Sequence, residues 1–167
     1  MSLEIRPVTP GTRAVFAAIL EEANAWQKAR GSEGWARPFD DAWMRPRLER
    51  GELFLACDAA GPVASLRLLW EDRPFWGARE TGDSLYLHSF AVRRDRAGCG
   101  LGRAVIETVA DRARARGRSR LRLDCFAANE RLVAYYARNG FVPAGAVAVD
   151  GRTMALMERA LGGGAGR

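Results

Sequence analysis

Apolar positions recur along this chain with two different periods, and the changes between them divide it into elements. LEIRPV (Leu3 to Val8) alternates, which predicts a short strand. Val15, Phe16, Ile19, Leu20, Ala23 and Trp26 then fall at helical spacing, predicting a helix capped by Thr9 or Thr12 and running through Lys28. GSEG interrupts it at Gly31 to Gly34. A second helix is expected from Asp40 to Arg50, its acids suited to the positive end of the helix dipole. ELFLACD and GPVASLRLLW read as a hairpin turning at Asp58 to Gly61. EDRPFWGARETG reads as a loop and SLYLHSFAV as a strand.

Downstream, Leu101, Val105, Val109 and Ala113 recur every four residues with Ile106 and Ala110 beside them, one apolar stripe of a helix that stops at Gly117. SRLRLDCFA alternates as a strand. Asn129 is placed to cap a shorter helix, NERLVAYYARNG, ending at Gly140. FVPAGAVAV and RTMALMERAL form a last pair around a turn at Asp150–Gly151. The predicted order is β-α-α-β-β-β-α-β-α-β-β, an α/β chain whose strand–helix–strand unit is central. Its 167 residues suit one domain over 1–160, with LGGGAGR expected to be a disordered tail over 161–167.

Composition narrows the class. A hydrophobic content of 48% argues for a folded core rather than disorder. No apolar run reaches membrane-spanning length and the first residues lack a signal-like apolar stretch, so no membrane partner and a cytoplasmic location are expected. Cys57, Cys99 and Cys125 are odd in number and widely spaced, and His88 is the lone histidine; neither a disulfide framework nor a metal site is expected. The net charge of +6 is unevenly placed. Residues 112–122 hold six arginines and no acid, whereas Glu21, Glu22, Glu33, Asp40 and Asp41 make the first helices mildly acidic. Such asymmetry suits an anionic cofactor and a cationic substrate, or a solvated helix face and nothing more.

The stretch RDRAGCGLGRAVIETV concentrates three glycines, Gly98, Gly100 and Gly102, between a strand and a helix start. Backbone amides converge there at the positive end of the helix dipole, which suits phosphate oxygens; a strand-to-helix turn needing positive φ is the alternative, but one glycine would satisfy it. A Walker loop needs a lysine that this segment lacks. A GxGxxG dinucleotide pattern fails as well, because the third position falls on Arg103 or Val105.

At this point the sequence resembles the GNAT acetyltransferases of the bacterial small-molecule type. Gly100-Leu101-Gly102 matches the glycines of the family's Q/R-x-x-G-x-G/A signature and Arg103-Ala104 continues it; Ala97 occupies the Q/R position, with Arg96 one residue early, which leaves the grip to the backbone. Asn129, Tyr136, Gly140 and Phe141 reproduce the family's second block. The likeness is close from SLYLHSFAV to GFVPAG and loose over the first third. It implies a mixed, mostly antiparallel sheet of six to seven strands, flanked by about four helices, with splayed fourth and fifth strands.

The resemblance also implies roles. Acetyl-CoA would lie along the fourth strand at Phe90, Ala91 and Val92, with its pyrophosphate on the amides of Ala97, Gly98, Cys99, Gly100, Leu101 and Gly102, helped by Arg103, and with Asn129 and Tyr136 also in contact. An amide near Phe90 would hold the developing oxyanion. Tyr136 would be the general acid for the leaving thiolate, while Tyr135 points to another face as a core residue. His88 or a water chain would take the amine's proton, and Tyr86, His88 and Phe90 are expected to share one strand face. Trp26, Arg30, Trp35 and Asp40 would shape the acceptor site. The acceptor is a small-molecule amine or a peptide N-terminus, attacked directly, and a homodimer through the last strands is possible by analogy. Rival readings are a non-catalytic acyl-CoA-binding domain and a basic nucleic-acid binder, the latter not expected because the arginine run lies far from the tryptophans.

Overall fold

The computed structural model describes residues 2–36 and 38–162; of the tail expected at 161–167, residues 163–167 lie outside the described residues, whereas Leu161 is buried and donates to the Ser119 carbonyl at 2.9 Å. Among the described residues seven strands and five α-helices follow one another as β1 (Glu4–Pro7), α1 (Arg13–Ala29), α2 (Asp41–Glu49), β2 (Leu53–Asp58), β3 (Gly61–Leu69), α3 (Arg73–Trp76), β4 (Ser84–Val92), α4 (Leu101–Ala115), β5 (Arg120–Phe126), α5 (Glu130–Arg138), β6 (Val142–Val149) and β7 (Arg152–Ala160). The strands form a mixed sheet in the order β1-β2-β3-β4-β5-β7-β6, in which β4 and β5 run parallel. The chain divides into two compact units, Met1–Leu68 with Ser89–Thr108, and Leu69–His88 with Val109–Arg167.

In the first unit, β1, β2 and β3 are antiparallel, and Asp58 turns the β2–β3 hairpin by accepting the Ala60 N–H at 2.8 Å. α1 buries Phe16, Ile19, Leu20 and Ala23 against Leu53, Leu55 and Cys57. Its expected stripe is wider than the buried one, since Val15 and Trp26 are each 39% exposed. Thr12 holds the position before the helix without capping it through its side chain; its hydroxyl instead accepts the Thr9 N–H at 2.9 Å. Asp40 does cap α2, accepting the Trp43 N–H at 3.0 Å.

In the second unit, β5 pairs with β7 and β7 with β6, both antiparallel. Asp150 (φ 49°) and Gly151 (φ 75°) supply the two left-handed residues that a tight right-twisted hairpin needs. Asn129 caps α5 by accepting the Leu132 N–H at 3.1 Å. The segment read as a loop before β4 contains α3, because Pro74 suits a first turn and Trp76 is buried to 1% exposure against Tyr86. Arg122 on β5 is 3% exposed and fully engaged: it meets Glu158 Oε2 at 3.1 Å, the Arg79 carbonyl at 2.8 Å and the Tyr86 hydroxyl at 3.1 Å, and its guanidinium lies 4.4 Å from the Trp76 ring.

The β4–β5 ladder joins Ser84–Leu87 to Arg120–Leu123 and ends there. Two residues later Ser89 takes φ 45°, a left-handed conformation unusual for a residue with a side chain. The simple alternation that would put Tyr86, His88 and Phe90 on one face is therefore broken between His88 and Phe90.

Candidate functional site

The glycine turn belongs to the first unit. A short 3-10 turn at Arg94–Arg96 follows β4, and Gly98 (φ 85°) and Gly100 (φ 76°) then take positive φ before α4 begins at Leu101. Nothing lies within 4 Å of where a Cβ would stand on either glycine, so both positions face open space. The positive φ itself requires glycine there. Ala97 closes the 3-10 turn by donating to the Arg94 carbonyl at 3.3 Å, and Ala104 opens the helical ladder by donating to the Gly100 carbonyl at 3.1 Å. Between them the N–H groups of residues 98–103 have no acceptor among the described residues. Free amides at a helix start are chemically suited to an anion. The Cys99 thiol, exposed, donates to the Arg96 carbonyl at 2.9 Å. Ala91 is buried against the α1 core, while Phe90 and Val92 are half-buried.

The residues expected to shape the acceptor site are dispersed within this unit. Trp35 packs edge-on against Phe39 at 5.3 Å, and Phe39 against Trp43 at 4.9 Å, so these rings are core. Trp26 stays exposed, with the Arg30 guanidinium 4.5 Å and the Arg94 guanidinium 3.8 Å from its ring. The nearby acids are occupied by local bonds. Glu21 accepts the Phe39 N–H, Glu22 the Arg94 N–H, and Asp41 meets Arg13 and Arg45.

In the second unit, His88 lies between two aspartates. Its Nε2 is 2.9 Å from Asp72 Oδ2 and its Nδ1 is 3.0 Å from Asp124 Oδ1, with all three side chains nearly buried. Burial alone would lower the imidazole pKa, but Asp124 and then Asp72 outweigh it and push the value up to about 9. Phe75 covers the ring at 5.5 Å. Neither aspartate carried a sequence signal, since Asp72 falls in a segment read as loop and Asp124 in one read only as an alternating strand.

Tyr136, not Tyr135, is the buried member of the tyrosine pair: it is 6% exposed and packs on Phe141 at 5.7 Å, whereas Tyr135 is half-buried. The expected core assignment of Tyr135 is thus reversed, because the inward face of α5 carries Tyr136, which packs on Phe141 just beyond the helix. Burial, reinforced by Cys125 and Asp124, drives the Tyr136 phenol pKa far up. The same burial lifts the Cys125 thiol to about 11. No hydrogen bond engages the Tyr136 hydroxyl among the described residues.

The arginine run of residues 112–122 is largely committed inside the same unit. Arg114 bonds the Leu161 carbonyl and Asp111, Arg118 the Gly82 carbonyl, and Arg116 and Arg118 flank Trp70 at 5.4 Å each. Arg120 pairs with Asp83 at 3.6 Å. Among the described residues no helix is long and apolar enough to cross a membrane.

A model of the acetyltransferase (GNAT) family matches residues 17–141. The chain is 32% identical over 134 residues to the uncharacterized N-acetyltransferase YesJ of Bacillus subtilis, covering 75% of this chain and 74% of that protein. It is 39% identical over 77 residues to the L-methionine sulfoximine/L-methionine sulfone acetyltransferase of Pseudomonas paraeruginosa, covering 46% and 42% of the two chains. In fold it is similar to a GNAT-family acetyltransferase of Listeria monocytogenes, with TM-score 0.75, 24% identity and coverage of 95% and 94%.

Proposed function

Since this chain belongs to the GNAT acetyltransferase family, whose members are acetyl-CoA-dependent N-acetyltransferases, we propose that residues 1–160 form one catalytic domain that acetylates a primary amine on a small molecule or a peptide N-terminus. Acetyl-CoA, when bound, supplies an activated acetyl thioester open to direct attack by a neutral amine, with a thiolate as leaving group. The observation that carries this reading is the run of unsatisfied amides over residues 98–103 beside two open, positive-φ glycines. That cradle fits a diphosphate: it offers several converging donors, the positive end of α4 and no side chain in the way. Arg103 adds a cation in the first turn of the helix.

Phe90, Ala91 and Val92 follow the left-handed Ser89 and lie beyond the last rung shared with β5, which supports a role for their peptide groups in meeting a strand-like chain and polarising an acyl oxygen. Tyr136 is assigned as the proton donor to the leaving thiolate. A phenol ordinarily titrates about 1.5 units above a thiol, an uphill transfer of about 2 kcal/mol. Burial raises Tyr136 well above that ordinary value, and by more than it raises the neighbouring Cys125 thiol, so the transfer is steeper here than between the free groups.

His88 is better assigned as a positioning group than as the base expected from sequence. With its pKa pushed to about 9 and both ring nitrogens facing carboxylates, it is an imidazolium at neutral pH and has no free lone pair for an amine's proton. Water leading to bulk solvent then takes that proton. Asn129 caps α5, and cofactor contact is a second use of the same side chain. The relative acting on methionine sulfoximine supports an amino-acid-like acceptor. Native mass spectrometry of the purified protein for retained CoA, followed by thiol release across an amine panel, tests the reading; no bound CoA and no release with any amine would overturn it.

A further inference from the structure

Trp26, Arg30 and Arg94 make a charge arrangement that the fold does not use. Arg30 follows the last turn of α1, and Arg94 opens the 3-10 turn four residues ahead of Gly98. Both guanidinium groups stack on one indole, at 4.5 Å and 3.8 Å from its centre, and the indole is 39% exposed. Stacking satisfies a guanidinium's flat face and leaves its N–H edges to find acceptors. Here they find none: neither guanidinium has a carboxylate or carbonyl partner among the described residues, and the Arg94 Nε is buried without a hydrogen bond. The other two arginines of the same turn differ, since Arg93 pairs with Asp95 at 2.6 Å and Arg96 with Asp58 at 2.7 Å. Glu22 accepts the Arg94 backbone N–H at 3.2 Å instead.

Two unpaired cations on one ring repel each other, and an oxyanion between their edges would turn that repulsion into bidentate pairing. We propose that Trp26, Arg30 and Arg94 form a site for a carboxylate or phosphate group, brought either by the acceptor or by the 3′-phosphate of coenzyme A. The second half of that statement rests on the transfer reading above; the anion site itself does not. It reverses the polarity that the acidic residues of this region suggest in the sequence, because Glu21, Glu22, Asp40 and Asp41 are all engaged by local donors.

The test is an NMR titration of the full chain with inorganic phosphate and with succinate, following the arginine Nε–Hε and tryptophan indole resonances against chloride at equal ionic strength. Saturable shifts of Arg30, Arg94 and the Trp26 indole are expected, weakened at least about fivefold in Arg94→Gln and, as a second variant, Arg30→Gln, each checked for native spectral dispersion. Shifts that chloride reproduces, or that survive both substitutions, would overturn the site. The source is then read from kinetics. If Arg94→Gln erases a preference for acetyl-CoA over its 3′-dephospho form, the phosphate is the cofactor's. If it erases a preference for amino acids over their carboxamides, the carboxylate is the acceptor's. A variant that changes neither preference overturns the proposal. Saturable, Arg94-dependent phosphate binding without thiol release from any amine would remove the transfer reading and leave the anion site standing.

Discussion

His88 Nδ1 lies 3.0 Å from Asp124 Oδ1, and this contact takes the place of the next rung after Leu87↔Leu123, where the backbone ladder between β4 and β5 ends. A charged side-chain contact thus continues the connection for one step after the backbone stops providing it. Asp72 holds the other side of the ring at 2.9 Å.

The charge state of His88 makes stability depend on pH. Its pKa is raised in the folded chain from 6.5 to about 9, so the contribution is fully present below about pH 6.5 and is lost as pH rises through about 9. The shift corresponds to about 3 kcal/mol. Thermal midpoints of the native chain should fall between pH 7 and pH 10, and His88→Gln should be less stable at pH 7 with a flatter profile over that range. Parallel profiles for the two proteins would sink the imidazolium assignment.

Tyr136→Phe keeps the ring that packs on Phe141 and removes only the hydroxyl. Turnover should drop at least tenfold, a floor below the about 100-fold or more that a positioned proton transfer contributes, with acetyl-CoA affinity nearly unchanged. Steady-state kinetics beside calorimetric acetyl-CoA binding checks it, and wild-type turnover would remove the donor role.

At Gly100 the φ of 76° disfavours any side chain by about 1–2 kcal/mol, yet a Cβ there meets no neighbour. Gly100→Ala and Gly100→Asp should therefore cost similar, small amounts of stability. Acetyl-CoA affinity should separate them, with Gly100→Asp losing at least about a hundredfold because a carboxylate would stand where a diphosphate is expected. Equal affinities for the two variants would mean that the cradle does not hold phosphate.

Removing Arg122 takes the side-chain donor from the Arg79 carbonyl, leaves Glu158 only its 3.9 Å contact with Arg120, and leaves the Tyr86 hydroxyl to Glu80. Arg122→Met should destabilise by about 1–3 kcal/mol, and adding Glu158→Leu should restore part of it by removing a carboxylate left with Arg120 alone. Arg122→Lys should not rescue, since an ammonium cannot stack on Trp76 while reaching three acceptors. Chemical denaturation of the four proteins measures this.

Much of the sheet was legible from period alone: SLYLHSFAV is β4 to the residue, and the stripe from Leu101 to Ala113 is buried throughout. Asn129 and Gly140 bracketed α5 because a cap and a left-handed stop have local chemistry. α3 was missed because four residues carry no period, and what makes them helical is the burial of Trp76. The partners of His88 were hidden for a different reason. Asp72 is 16 residues away in sequence and Asp124 is 36, so only the folded sheet brings three such side chains together. The acceptor region misled through charge, since counting acids says nothing about which of them already hold a backbone N–H.

The left-handed residue inside β4 also bears on how the chain tolerates changes of length. Ser89 is a spacer that shifts everything after it by one half-period. Losing a residue there would swing Ala91 out of the α1 core and turn Phe90 and Val92 over as well, whereas an added residue at the Asp150–Gly151 tip would only enlarge a loop. Insertions and deletions should accumulate at the far hairpin and be purged from the middle of this strand.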